Sequence, residues 1–238
     1  MRTIYVVGVL LLCLVVVIFT NDSKESGANI GTDVSWPNCK IEKPQYNKWG
    51  IVGVTGGKSF TPNPCLKKQH AWFNSADLYI NTGYPGNSST RRFSSSPLQC
   101  AIEDETCLAY NYGYNAAKYA VEYAKSQFIG APHWWLDVEL GNSWSENPSV
   151  NRAAIQGGAD AIVFYEPLSK VGYYSYPPQW SRITNDWKPG NPAWVATPET
   201  ELSAAISYCK EDSFSGGQVS MVQYVDGLDL NFDCTGKR

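Results

Sequence analysis

Short runs in which apolar and polar residues alternate are separated along this chain by longer stretches whose apolar residues recur every three or four positions. Alternation is the period of a strand and the longer step that of a helix, so the order reads β-α-β-α, the signature of a parallel sheet flanked by helices. Strands are predicted over 30–35, 50–55, 77–81, 133–139, 171–175, 193–196, 218–224 and 228–232. The clearest helix covers 106–128, where Leu108, Tyr112, Ala116, Tyr119, Tyr123 and Ala124 share a face. Further helices are expected over 65–74, 149–162, 181–187 and 201–210. Pro148 suits a helix start, and Gly157-Gly158 interrupts the helix that follows it. The Gly-, Ser-, Asn- and Pro-rich stretch 83–97 reads as a long loop after the third strand. Eight strands with helices between them predict an α/β fold, a (β/α)8 TIM-type barrel in a single domain over 23–238.

The N-terminal segment sets the compartment. Arg2 precedes an uncharged, mostly apolar run of 18 residues from Thr3 to Thr20. That is long for the core of a signal peptide and at the lower limit for crossing a bilayer, so residues 1–22 read as either a signal peptide or a membrane anchor. Both readings place the rest of the chain outside the cytoplasm, secreted or at the cell surface, with the membrane engaged only through this segment. Six of the seven cysteines (Cys39, Cys65, Cys100, Cys107, Cys209 and Cys234) lie in the exported part, an even set that reads as disulfides. Several connectivities are open; Cys39–Cys65, Cys100–Cys107 and Cys209–Cys234 are expected because each joins neighbouring elements of the barrel. A zinc site would want a C-x-x-C pair or more histidine than His70 and His133. A net charge of −3 with no Lys/Arg run disfavours nucleic acid as a partner. No P-loop or G-x-S-x-G occurs, no cofactor is called for, and a monomer is expected.

Candidate chemistry centres on His133-Trp134-Trp135-Leu136-Asp137-Val138-Glu139-Leu140. On a strand, Trp134, Leu136, Val138 and Leu140 form an apolar face that can pack under helices, while Trp135, Asp137 and Glu139 form the other. Two acids spaced in this way have α-carbons roughly 6 to 7 Å apart, from which their carboxyls can flank one glycosidic bond. One carboxyl must hold a proton for the leaving oxygen, and the charge of Asp137 with the indole of Trp135 is expected to raise the pKa of Glu139 for that purpose. Asp33 on the first strand and Asp229 on the last alternate against apolar neighbours in the same way. First and last strands are adjacent in a closed barrel, so these two acids are expected to converge on the pair at the C-terminal mouth.

These segments together resemble glycoside hydrolase family 25, the lysozyme-type muramidases. Gly31-Thr32-Asp33-Val34-Ser35 is similar to the family's first strand, and Ile51-Val52-Gly53-Val54-Thr55-Gly56-Gly57 with Asn63-Pro64 to its second strand and the following helix start. Leu136-Asp137-Val138-Glu139 resembles its fourth-strand Asp-x-Glu, Val171-Gly172-Tyr173-Tyr174-Ser175 its fifth strand, and Ala193-Trp194-Val195-Ala196 its sixth. Gln223-Tyr224 and Leu228-Asp229-Leu230-Asn231-Phe232 resemble its closing segment. The resemblance implies an eight-stranded barrel that hydrolyses β-1,4 bonds of peptidoglycan, with Glu139 as proton donor, Asp137 as nucleophile, base or orienter, and Asp33 and Asp229 around the cleavage subsite. Trp36, Asn81, Trp135, Tyr174, Trp194, Gln223 and Asn231 are the candidate sugar-binding residues. The chain departs from the family where Thr55-Gly56-Gly57 stands in place of Thr-Glu-Gly and Tyr79-Ile80-Asn81 in place of aromatic-His-Phe.

The expected function is therefore a glycosidase acting on peptidoglycan or a related amino-sugar polymer. A glycan-binding barrel that keeps the carboxylates without turnover is the alternative, and an anchored structural protein the third.

Overall fold

The computed structural model describes residues 29–238; the expected signal peptide or anchor over 1–22 lies outside the described residues. Eight strands close a barrel in sequence order: β1 (Ile30–Val34), β2 (Trp49–Gly53), β3 (Ser75–Asn81), β4 (His133–Asp137), β5 (Lys170–Ser175), β6 (Ala193–Ala196), β7 (Val219–Asp226) and β8 (Leu228–Asp233). Each of β1 to β7 runs parallel to the next. β8 is antiparallel to both β7 and β1, so the barrel is mixed and departs from the expected all-parallel (β/α)8 arrangement. The reason is local. Only Gly227, at φ 70°, separates β7 from β8. A connection that short can only reverse the chain, whereas a parallel return needs a crossover of roughly a dozen residues.

The helices are α1 (Leu66–His70), α2 (Asn87–Thr90), α3 (Glu105–Ser126), α4 (Pro148–Tyr165), α5 (Pro177–Thr184) and α6 (Leu202–Ala205). α3 starts where the Asp104 carboxylate accepts a hydrogen bond from the Cys107 N–H at 3.0 Å, and α4 where the Asn147 side chain accepts from the Ser149 N–H at 3.0 Å. α4 runs unbroken through Gly157-Gly158, contrary to expectation, and its packing against α3 explains why. A Cβ at Gly157 would sit 2.1 Å from the Tyr110 carbonyl oxygen of α3, and one at Gly113 would sit 1.8 Å from that of Ala154. The two backbones touch because both side chains are missing, which offsets the roughly 0.5–1 kcal/mol that each glycine costs a helix.

Other helices differ from expectation in extent. α1 stops well short of residue 74, and the segment 201–210 divides into α6 and a 3-10 turn, Ile206–Lys210. α5 begins earlier than 181 because Pro177-Pro178 occupy its first turn, and Asn185 in the left-handed region (φ 53°) ends it. The loop over 83–97 holds α2 and the 3-10 turn Arg91–Phe93.

Outward strand residues such as Val52, Leu78, Trp134, Leu136 and Val222 join Ala117, Val121, Ile155 and Ile162 of the helices in the main core. Inside the barrel Trp49, Ile51, Trp135, Trp194 and Met221 stack, with Tyr79 and Tyr174 packed against them. Gly172 leaves the room Trp135 needs, since a Cβ there would meet its ring at 2.3 Å. The N-terminal end of the strands, the base, is closed by buried Asp77. Its carboxylate accepts from Trp135 Nε1 at 3.0 Å and Arg238 Nη2 at 2.6 Å, and faces His133 Nδ1 at 3.3 Å. These partners outweigh burial and hold the Asp77 carboxyl below the usual range.

Cys39, Cys65, Cys100, Cys107, Cys209 and Cys234 form the expected disulfides. Cys39–Cys65 ties the turn after β1 to α1, Cys100–Cys107 ties the preceding loop to α3, and Cys209–Cys234 ties the Ile206–Lys210 turn to the end of β8. Three disulfides fit an extracellular location. Among the described residues no helix is long and apolar enough to cross a membrane.

Candidate active site

β4 carries the central pair. Asp137 ends the strand and its backbone is held from both sides: its carbonyl accepts from the Thr82 N–H at 3.1 Å, and Val138 N–H donates to the Tyr174 carbonyl at 2.9 Å. Ser175 Oγ donates to the Val138 carbonyl at 2.7 Å, and Trp144 Nε1 donates to the Glu139 carbonyl at 2.7 Å. The last strand residues and the first of the loop are thus fixed, so the two side chains keep the shared face that the alternation requires.

Asp137 is buried. Asn81 Nδ2 donates to its Oδ2, and Asn81 is itself held by Thr55, whose Oγ1 donates to Asn81 Oδ1 at 2.7 Å and accepts from the Asn81 N–H at 2.9 Å. The other oxygen, Oδ1, is buried and accepts from no N–H or hydroxyl group among the described residues. Burial, followed by the charge of Glu139, pushes the Asp137 carboxyl well above the carboxylate range.

Asp33, projecting inward from β1, has a different cradle. Gln223 Nε2 and Asn231 Nδ2 both donate to its Oδ2, at 2.9 and 2.7 Å. The oxygens of those two amides are already taken, by Tyr174 Oη–H at 2.7 Å and Trp194 Nε1–H at 2.7 Å, which fixes both amide orientations. Burial and then the charge of Asp229 push Asp33 up to about 8, against the lowering effect of the two amide donors.

Glu139 is half-buried and Asp229 stands exposed on the rim. Glu139 is raised by burial and next by Asp229, while its contact with Asp137 acts the other way; Asp229 is raised by its own partial desolvation. The four carboxyls therefore sense one another at one end of the barrel and cannot all be ionised at neutral pH. Tyr79 lies among them, its hydroxyl pushed up by burial and then by Asp33.

Trp135 is placed elsewhere than expected. It is fully buried one inward position deeper than Asp137, and its indole serves Asp77 at the base, so it neither lines the mouth nor raises Glu139. Trp194 is buried too, a floor 4.3 Å from the Tyr174 ring, measured between centroids. Asn81, Tyr174, Gln223 and Asn231 do gather at the site, where their polar atoms hold Asp137 and Asp33. Trp36 is half-exposed on the turn after β1 with its indole over Gly57. Thr55, Tyr79 and Trp144 were not singled out for these contacts; Tyr79 alternates with Asn81 on the inward face of β3, which is the signal that marks it.

Two hollows open on either side of the end of β4. One, of about 280 Å³, is lined by Glu139, Tyr174, Tyr176, Gln179, Thr197 and Gln223. The other, of about 210 Å³, is lined by Lys58, Ser59, Thr82, Tyr84, Tyr112 and Asn142. Among the described residues no group of three or more His, Cys, Asp or Glu side chains is arranged to hold a metal ion. A protonated acid beside a second acid, at the edge of an open cleft, can deliver a proton to a bound oxygen and stabilise the positive centre left behind. No protein-family model, no curated protein and no solved structure matches this chain.

Proposed function

We propose that the protein is a glycoside hydrolase acting on peptidoglycan or a related amino-sugar polymer, as its resemblance to the lysozyme-type muramidases implies. The observation that carries the reading is the Asp137–Glu139 pair at the barrel mouth, with Asp33 and Asp229 beside it and hollows on both sides for a chain of sugars. Glu139 faces the cleft and is the member of the pair that reaches a glycosidic oxygen, so it acts as the general acid. Asp137 lies beneath it, its carboxyl in contact with that of Glu139, and orients that side chain toward the cleft. Once Glu139 has given up its proton, negative charge on the pair stabilises an oxocarbenium-like sugar. Asp33 and its two amide clamps act as positioning residues that set the potential around the pair. The test is incubation of the purified protein with peptidoglycan and assay of new reducing ends. Glu139→Gln should lower turnover by about 10²- to 10⁴-fold with folding intact. Binding of the polymer with no reducing ends from either protein would replace this reading with the glycan-binding one.

A further inference from the structure

Of the exposed large hydrophobic side chains among the described residues, the three barest are Leu168 (98 % exposed), Phe128 (95 %) and Phe164 (68 %). All three lie at the base, the end opposite the carboxyls: Phe164 in the last turn of α4, Phe128 and Leu168 in the turns that lead from α3 and α4 into β4 and β5. The turns are joined to each other. Lys125 Nζ donates to the Tyr165 carbonyl at 2.7 Å, Ser169 Oγ to the Ala131 carbonyl at 2.6 Å, and Lys170 N–H to the Pro132 carbonyl at 2.9 Å. The end of α4 and the two turns therefore lie side by side and form one ridge at the base.

Phe128 is the most telling of them. Phe128 N–H donates to the Lys125 carbonyl at 2.9 Å and Ile129 N–H to that of Ala124 at 3.0 Å, the hydrogen-bond pattern of a helix end whose left-handed residue is normally glycine. Here that residue has φ 62° and carries a benzyl group that touches solvent almost completely. Neither the backbone nor the core gains from a phenylalanine at this point. What gains is a surface that meets something apolar.

The same end is basic. A hollow of about 550 Å³ at the base is bordered by exposed Lys48, Lys170 and Lys237 and by Arg238. The acid on its wall, Asp233, is occupied in accepting the N–H groups of Thr235, Lys237 and Arg238 at 2.9, 2.8 and 3.0 Å. The described chain also starts here, since β1 begins at the base with Ile30. Only nine residues separate Ile30 from Thr20, the end of the apolar run. Fully extended, such a linker reaches about 30 Å. A run retained in a bilayer would thus hold the base against the surface.

We propose that the base of the barrel is a membrane-docking face: Phe128, Phe164 and Leu168 enter the headgroup layer of an anionic bilayer while Lys48, Lys170 and Lys237 meet its phosphates. This adds a second, folded contact to whatever the N-terminal run provides, and it turns the carboxyl-bearing mouth away from the membrane.

The test is amide hydrogen exchange on the full chain, free in detergent-stripped solution and on phosphatidylcholine vesicles with or without phosphatidylglycerol. Segments 127–132 and 163–171 should exchange several-fold more slowly on the anionic vesicles, with loops 140–147 and 197–201 unchanged. High salt should reduce the protection by screening the lysines. The double variant Phe128→Asn/Leu168→Asn, at two exposed positions, one left-handed and one in a turn, should abolish it even while the N-terminal run keeps the protein on the vesicles. Equal exchange at the base with and without vesicles would overturn the proposal. Protection that grows with protein concentration in the absence of lipid would also overturn it, and would assign the ridge to a second copy of the chain.

Discussion

Asp33 makes the stability of this protein run against the usual direction with pH. Folding raises its carboxyl from an ordinary 3.8 to about 8, so the folded state binds this proton more tightly than the unfolded chain does. The stabilisation tied to that proton is complete below the unfolded value and is lost as pH rises through the folded one. Each unit of difference corresponds to about 1.4 kcal/mol, giving a ceiling of about 6 kcal/mol for the whole interval. Part of that ceiling is repulsion from Asp229, which relaxes when either acid changes, so the share that follows Asp33 between about pH 5 and about pH 8 is roughly 2–4 kcal/mol. Asp33→Asn keeps an oxygen for the Gln223 and Asn231 donors and removes the charge that must be desolvated. Urea unfolding with the disulfides intact should show the parent losing about 1 M in midpoint over that pH range and the variant losing much less. The variant should also be the more stable protein at the alkaline end. Parallel pH slopes for the two proteins, or a variant weaker than the parent at about pH 8, would refute the conclusion that Asp33 is held protonated at a cost.

Asp229→Asn should move the alkaline limb of any cleavage activity to lower pH, because the Asp229 charge helps to keep the proton on Glu139. Asp137→Asn should produce no such downward shift, since contact with Asp137 lowers rather than raises Glu139; a pH–rate profile of each variant checks both. Replacing Cys209 and Cys234 together by alanine should cost about 2–4 kcal/mol in denaturant unfolding, as the bridge closes a loop of 25 residues. Phe128→Gly should raise stability by about 1 kcal/mol by relieving a left-handed phenylalanine, read as an increase in Tm.

Most strands were legible because alternation is a strong signal wherever one face meets helices and the other a packed interior. Direction was not legible for β8, since an alternating pattern reads the same both ways; only the single residue between Asp226 and Leu228 carried that information. The facing of Asp33, Asp137 and Asn231 followed from the same alternation, but depth did not. Trp135 and Asp137 share a face, yet one step along it is roughly 6–7 Å, enough to put the indole with Asp77 and the carboxyl with Glu139. Polar residues at the mouth were recognisable as inward-facing, while their partners depended on contacts across strands. Asn81 and Thr55 come together over 26 positions, and Asn231 and Asp33 over 198. Phe128 could not be anticipated at all, because helix-end chemistry there calls for glycine.

The reversal of β8 has a further consequence for the ends of the fold. β1 rises from the base and β8 returns to it, with Ile30 opposite Phe232, so the chain enters and leaves the barrel side by side. A short peptide joining these ends would close the polypeptide into a ring without crossing the mouth. New ends opened in the long connection over 83–97 would then give a circular permutant with the same strand neighbours and the same carboxyl cluster. In such a permutant the order of synthesis changes: β4, with Asp137 and Glu139, is made before β1 and Asp33, and the barrel closes at the β3–β4 edge. A fusion made at Ile30 or just after Asp233, by contrast, starts from the face farthest from the acids.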